Sequence, residues 1–288
     1  MGKKTIVAIV YDFDGTLASG NMQEHSFIPE IGERPENFWA EVKKSAKDNG
    51  MDEILSYMRL MLIKSNKNEK SIKESTFKEY GKKIILFDGV DAWFERINSY
   101  AYKRNIELEH YIISSGLREM IEGSQIANKF KRIFASSFYY DVDNIAKWPA
   151  MAVNYTTKTQ FIFRISKGVL DIWDSSSLND FTPEQKRRIP FANMIYIGDG
   201  ETDIPCMRVV KSSGGNSIAV YDPKYHKTRF NKKHEKKQSK RDICKKLIEQ
   251  GRANYIAEAS YIEGSRLDEI IKNILQGIEV NSKLNHYK

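Results

Sequence analysis

The stretch Tyr11-Asp12-Phe13-Asp14-Gly15-Thr16-Leu17 closes an apolar, β-branched run that begins at Thr5, and its reading decides the fold. Thr5–Tyr11 is apolar at almost every position, as a strand reads when both of its faces are covered. Side chains alternate along a strand, so Asp12 and Asp14, two residues apart, point the same way and bring two carboxylates to one spot. Like charges gathered out of water are costly unless a cation or a shared proton compensates them. An acidic turn at Gly15 would need no such partner, and the rest of the chain has to decide between the two readings.

Working outward, Tyr111–Ser114, Arg132–Ala135, Met194–Ile197, Ser217–Tyr221 and Tyr255–Ala257 repeat the strand pattern and alternate with amphipathic stretches. This predicts an α/β fold, a doubly wound parallel sheet with helices on both faces. In such sheets ligands sit at the carboxyl ends of the strands. Between the first two strands, Asn21–Lys83 carries Phe38, Val42, Ile54, Leu55, Met58, Met61 and Leu62 at helical spacing, too long a block for one crossover helix. The expected division is a core of residues 1–20 and 84–288 with a helical subdomain, 21–83, inserted over the sheet's edge, its Met and aromatic residues forming its own core. Asp88–Asn105 reads as the crossover helix, Lys158–Lys167 and Ser265–Ile278 as further helices, and Ile172–Pro190 as a loop before a short helix near Pro183.

A second acidic cluster, Gly198-Asp199-Gly200-Glu201-Thr202-Asp203, follows the strand Met194–Ile197. Carboxylate and carbonyl oxygens, completed by water, are what Mg²⁺ prefers. Asp12 and Asp199 are the expected direct ligands. Asp203 falls in a first helical turn, where it either orients a metal-bound water or caps the helix.

With both clusters in view, Asp12/Asp14 in DFDGTL and the GDGETD around Asp199 and Asp203 resemble the first and fourth motifs of the haloacid dehalogenase superfamily. The resemblance implies Asp12 as nucleophile, Asp14 as general acid/base and as a metal ligand through its backbone carbonyl, Asp199 as metal ligand, and Mg²⁺ as cofactor. The dehalogenase branch lacks the second Asp and the metal, so Asp14 implies phosphate rather than halide. The chemistry agrees: a carboxylate nucleophile divides one difficult displacement into two easier ones through an aspartyl-phosphate, and an acid/base at Asp14 serves both halves.

Tyr111-Ile112-Ile113-Ser114-Ser115-Gly116-Leu117 resembles the second motif, whose hydroxyl donates to the transferring phosphoryl group. Ser114, directly after the apolar run, is preferred, with Ser115 beside it; the alternative is that both cap a following helix, whose N-terminal N–H groups would also attract phosphate. The third motif is a lone Lys, either Lys158 or Lys167, which lie half a turn out of phase. Lys158 follows Thr156 and Thr157, possible N-caps, and sits where anions gather, whereas Lys167 before Gly168 reads as a basic last turn with a glycine stop. The family spaces its third and fourth motifs more closely, so Ile172–Pro190 is expected to be a local insertion. The helical block corresponds to the family's first type of cap, as in phosphoserine phosphatases. The chain departs from that subgroup in having Ser115 where the subgroup has glycine and in lacking its substrate-binding Glu and Arg. Arg59 and the Tyr and Met residues near it either face the site or pack in the core.

A hydrophobic share of 41% and a charged share of 29% exclude a disordered, collagen-like or multi-span membrane chain. The net charge of +8 is local: Lys224–Lys246 holds eleven Lys or Arg against two acids, Glu235 and Asp242, and the remaining chain is nearly neutral. That run is expected to be a basic surface segment whose first half is an exposed loop, with nucleic-acid binding or a polynucleotide phosphatase as the alternative. Two cysteines form neither a disulfide framework nor a zinc spacing. Ile6–Tyr11 is too short for a signal peptide and no stretch approaches a membrane span, so a cytoplasmic protein without a membrane partner is expected. Trp39, Trp93, Trp148 and Trp173 are expected in the core, and the five histidines show no metal spacing. The expected function is a Mg²⁺-dependent phosphomonoester hydrolase acting on a small phosphorylated substrate, the alternative within the fold being phosphoryl transfer to an acceptor other than water.

Overall fold

The first strand, β1 (Thr5–Tyr11), is buried on both faces: Val7, Ile9 and Tyr11 enter one apolar cluster while Ala8 and Val10 enter another. The computed structural model describes residues 4–67, 72–225, 229–230, 236–237 and 239–285. After β1 come four helices, α1 (Phe27–Glu30), α2 (Pro35–Asn49), α3 (Glu53–Lys67) and α4 (Glu74–Gly81), then α5 (Val90–Tyr102) and β2 (Ile106–Leu117). The chain continues through α6 (Arg118–Glu122), β3 (Arg132–Tyr140), β4 (Ala146–Met151), α7 (Thr157–Lys167), α8 (Ser176–Asn179), β5 (Met194–Gly198), α9 (Ile204–Ser212) and β6 (Asn216–Tyr221). A two-residue ladder, β7 (Arg229–Phe230) with β8 (Lys236–Lys237), precedes α10 (Lys240–Glu249), β9 (Tyr255–Glu258) and α11 (Arg266–Asn285).

Seven strands form one sheet in the order β4-β3-β2-β1-β5-β6-β9, parallel throughout except for the antiparallel pair β3/β4. The six expected strands are all present. The seventh, β4, carries Lys147, Trp148 and Pro149 and is not among the expected strands; proline is tolerated there because β4 lies at the edge of the sheet. The pairing of Trp148 with Tyr139 puts two large aromatics on an open face, 72% and 60% exposed. Trp148 and Trp173 therefore leave the expected core, whereas Trp93 is fully buried and Trp39 half-buried.

One face of the sheet is covered by α5, α11 and the α1–α4 block, whose Phe27, Phe38, Val42, Met58, Met61 and Phe77 join the same apolar cluster as the strands. Leu55, expected inside, is instead partly exposed. The other face is covered by α7, α9 and α10 through Phe161, Ile165, Met207, Val210, Cys244 and Leu247. Between α7 and β5 the chain makes the short α8, where a loop is expected, and a 3₁₀ turn at Glu184–Lys186 just after Pro183. This stretch is pinned at its far end, where Arg188 grips buried Glu109 of β2 with both guanidinium nitrogens. Of the basic run Lys224–Lys246, residues 226–228, 231–235 and 238 lie outside the described residues. Its last part forms the first two turns of α10. Among the described residues no helix is long and apolar enough to cross a membrane.

Candidate active site

Register places the chemistry. Tyr11 pairs with Ile112 on one side and Ile197 on the other, and the Asp12 amide donates to the Ile197 carbonyl at 2.9 Å. Asp12 and Asp199 therefore emerge side by side just beyond the carboxyl ends of β1 and β5, with Ser114 of β2 lining the same cavity. Beyond Asp12 the chain turns tightly, with Leu17 and Ala18 donating to the Phe13 carbonyl and Gly15 to the Ala18 carbonyl. Gly15 has φ of +73°, and a Cβ there would stand 2.3 Å from Asp199 Oδ2. Only glycine lets this turn lie against the second acidic cluster.

Oxygens of Asp12, Asp199 and Asp203 lie within 4.8 Å of one another. Lys158, fully buried on the first turn of α7, sets its ammonium 3.1 Å from Asp12 Oδ1 and 2.8 Å from Asp203 Oδ1. Asp203 also accepts from Tyr196 Oη at 2.7 Å and from the Gly200 amide at 3.2 Å. Asp14 stands apart from this triad: its Oδ1 accepts from the Met22 amide at 2.9 Å. The helix carrying Lys158 is capped by Asn154, whose Oδ1 accepts from the Thr157 amide at 3.0 Å, rather than by Thr156 or Thr157 as the sequence suggested. Lys167 points elsewhere, its ammonium 2.5 Å from the carbonyls of Leu178 and Asp180 in the excursion before β5. Of the two candidate lysines, the structure brings Lys158 to the carboxylates.

Ser114 is buried and its Oγ accepts from the Gly116 amide at 3.0 Å, which leaves its own proton to give. Ser115 Oγ is buried without a hydrogen-bond partner. Neither serine caps a helix, because β2 runs on to Leu117 with a shifted register between Ser114 and Leu117, and the short α6 starts only at Arg118.

Burial dominates the electrostatics. It pushes the Asp12 carboxyl up to about 7, helped by the charge of Asp203 and opposed by Lys158. Asp14 is held well above the usual carboxylate range by burial and by Asp12. Asp199 is raised by burial, with the Lys240 ammonium opposing. Burial alone would discharge Lys158, yet the carboxylates of Asp12 and Asp203 outweigh it and keep the ammonium protonated.

These groups open onto a cavity of about 680 Å³. Its floor is Asp12, Asp14, Ser114, Ser115 and Asp199; its other walls include Gln23, Glu24, Trp39, Lys43, Glu53 and Tyr57 from the helical block, and Tyr155, Asp222 and Lys240 from the sheet side. Tyr57 is tied down by donating to the Ser115 carbonyl at 2.8 Å, and Trp39 donates to Glu24 at 2.7 Å. Arg59 is exposed and does not line the cavity; the residue of α3 that reaches it is Tyr57. Sequence reasoning missed Tyr196, Asp222 and Lys240. Only Lys240 carried a local signal, the capping box of Ser239 and Asp242 that begins its helix.

Residues 9–208 match the family model described as haloacid dehalogenase-like hydrolase. An uncharacterized protein of Borreliella burgdorferi is 30% identical over 92% of this chain and 95% of its own length. Among solved structures, a substrate-bound phosphoserine phosphatase complex is 18% identical with a TM-score of 0.55, over 94% of this chain and 99% of that one. A haloacid dehalogenase family hydrolase of Salmonella enterica serovar Typhi is 19% identical with a TM-score of 0.51, over 75% of this chain and 62% of that one. At such identities the structural likenesses speak to the fold alone, and they agree with the mostly parallel α/β sheet described above. The family model and the Borreliella relative carry the assignment: the chain belongs to the haloacid dehalogenase-like hydrolases.

Proposed function

We propose that the protein is a Mg²⁺-dependent phosphomonoester hydrolase that works through an aspartyl-phosphate on Asp12 and acts on a small phosphorylated substrate. The observation that carries this reading is the buried ammonium of Lys158 between Asp12 and Asp203, with Asp14 held apart on the Met22 amide. A halide-releasing enzyme has no use for a second carboxylate held with a raised pKa beside the first.

The residues fit a hard divalent ion. The donor set is all oxygen, the three carboxylates approach closely, and Asp12 Oδ1 is buried with no hydrogen bond, only the ion pair to Lys158. Asp12, Asp199 and the Asp14 carbonyl would hold Mg²⁺, with Asp203 behind them, and the ion would offset the charge of the phosphoryl group as the anionic nucleophile approaches.

The chain's own groups divide the remaining work. Asp12 attacks phosphorus and the ester oxygen leaves. Lys158 and the Ser114 hydroxyl hold phosphoryl oxygens, and the positive charge of Lys158 favours the ionised form of Asp12. Asp14, protonated because burial and Asp12 raise its pKa, gives its proton to the departing alkoxide. It then takes a proton from the water that attacks the aspartyl-phosphate, which restores both carboxyl groups. The helical block supplies one wall of the cavity and, as a cap, would select the leaving group. In this reading the protein works in the cytoplasm.

The test uses an aryl phosphate with Mg²⁺. Uncatalysed hydrolysis of phosphomonoesters is so slow, with enzymatic accelerations up to about 10²¹, that Asp12→Asn is expected to leave no measurable turnover. Wild type should carry one phosphoryl group on the peptide containing Asp12, detected by mass spectrometry after a rapid acid quench. Chelation with EDTA should abolish activity and added Mg²⁺ restore it. Substantial turnover by Asp12→Asn, or halide release from a halogenated acid in place of phosphate release, would refute the assignment.

A further inference from the structure

Lys240 is the first residue of α10, and its Nζ lies 2.7 Å from Asp199 Oδ2. The start of that helix is fixed: Ser239 Oγ accepts from the Asp242 amide at 3.1 Å, and Asp242 Oδ2 accepts in return from the Ser239 hydroxyl at 2.7 Å. Cys244 and Leu247 anchor the helix on the sheet. The ammonium is thus delivered to the acidic triad by a rigid element, from the far end of the basic run. The pairing has an internal logic. Lys158 serves Asp12 and Asp203 from below, and Asp199 takes its ammonium from the cavity side. The Lys240 side chain is 46% exposed and that of Asp199 only 14%, so the lysine stands at the open mouth and the carboxylate behind it.

A divalent cation held by Asp12 and Asp199 would share Asp199 with this ammonium. Two cations on one carboxylate repel each other, so each weakens the other's hold, and the weakening is the same in both directions. We propose that Lys240 is a tethered counter-ion of Asp199 that a divalent cation displaces, and that the displaced ammonium then takes an anionic oxygen of the phosphorylated substrate. The inference rests on the metal-dependent reading of the site. It gives the last part of the basic run a task inside the cavity: the site is not left with an unpaired carboxylate when it is empty of metal, and it presents a second lysine to a dianionic ligand when it is loaded. Lys240 then acts on metal binding through Asp199 and on the substrate by direct contact.

The experiment follows the exchange in the wild-type protein. Acetylation of Lys240 by an N-hydroxysuccinimide ester, read by mass spectrometry with exposed Lys245 of the same helix as internal reference, should speed up several-fold on adding Mg²⁺. Asp199→Asn should show the fast rate with or without the ion. By calorimetry, Lys240→Met should bind Mg²⁺ about tenfold more tightly than wild type, in the range of ordinary coupling between sites. Lys240→Arg, which keeps the charge, and Lys245→Ala, which removes an equal charge without touching the triad, should both bind Mg²⁺ as wild type does. With Mg²⁺ saturating, Lys240→Met should hold inorganic phosphate more weakly than wild type. If Mg²⁺ binds wild type but neither changes the labelling of Lys240 nor binds Lys240→Met more tightly, the exchange is wrong and the metal reading stands. An unchanged affinity for phosphate overturns the second half of the proposal. If neither wild type nor Lys240→Met binds Mg²⁺, the metal reading and the exchange fall together.

Discussion

Asp12→Asn is expected to stabilise the metal-free protein while it abolishes turnover. Burial and the neighbouring Asp203 raise the Asp12 carboxyl from 3.8 to about 7 in the fold. The native state therefore holds a proton there that the unfolded chain has already released, and stability falls as pH rises through the window from about 4 to about 7. At roughly 1.4 kcal/mol for each pH unit of that window, the cost of keeping Asp12 ionised in the fold reaches no more than about 4 kcal/mol at pH 8. Asparagine is neutral at every pH and escapes this cost, but it brings an amide that has to turn its carbonyl toward Lys158. A net gain of about 2 kcal/mol is expected, which for a domain of this size corresponds to a rise in melting temperature of about 4 to 8 °C. The assay is a thermal melt of both proteins in EDTA at pH 8, 6 and 4. The gain should be largest at pH 8, smaller at pH 6 and gone near pH 4. Saturating Mg²⁺ should reverse the order, since only the wild type keeps the full ligand set and ligand binding adds to the stability of the state that binds. A variant less stable than wild type in EDTA at pH 8, or a gain independent of pH, would refute the electrostatic account of Asp12.

Lys158→Ala should be severely destabilised, by about 3 to 5 kcal/mol, because it leaves Asp12 and Asp203 buried without their shared cation; circular dichroism and activity should fall together. Lys167→Ala should keep wild-type turnover, since that ammonium meets only the Leu178 and Asp180 carbonyls. Gly15→Ala forces a Cβ into Asp199 at a left-handed backbone position, and calorimetry should show weakened Mg²⁺ binding even if the variant folds.

How much of this was legible before the structure follows from the range of the interactions involved. The central strands announced themselves because β1, β5 and β6 are buried along almost their whole length and read as apolar runs; β4 did not, because an edge strand with one open face carries Lys147, Trp148 and Pro149 without penalty. Asp12, Asp14, Asp199 and Asp203 were legible because strand ends place them within a few residues of an apolar run. Ser114 was legible for the same reason, but the end of β2 was not, since a bulge carries the strand three residues further than its apolar pattern. Choosing between Lys158 and Lys167 needed only helical phase and position. Tyr57, Tyr196 and Lys240 reach the site through contacts 58, 7 and 41 residues away in sequence, and only Tyr196 lies within a motif's own strand. A helix face gave Arg59 and Tyr57 equal claims; packing of α3 against the sheet domain decided for Tyr57.

Asp203 shows how local reading and tertiary structure divide the argument. Its sequence position allowed either a helix cap or a metal-directed carboxylate, and the two looked equally good. In the fold it accepts the Gly200 amide on Oδ2, as a cap would, and on Oδ1 it accepts both Lys158 and Tyr196. A carboxylate offers about four lone-pair sites, so three are committed to protein donors and little remains for direct coordination. Asp12 and Asp199 are differently placed: Asp12 Oδ1 has no hydrogen bond beyond its ion pair with Lys158, and Asp199 meets an ammonium that faces solvent. On the proposed metal-dependent reading, the commitments of Asp203 make it the group that would fix Lys158 and complete the charge behind a divalent ion, with Asp12 and Asp199 supplying the oxygens that would face it. Tyr196→Phe separates the roles. It removes one donor from Asp203 without touching Asp12 or Asp199, so it should cost about 1 kcal/mol of stability and leave Mg²⁺ affinity by calorimetry close to wild type. A large loss of affinity in that variant would instead make Asp203 a direct ligand.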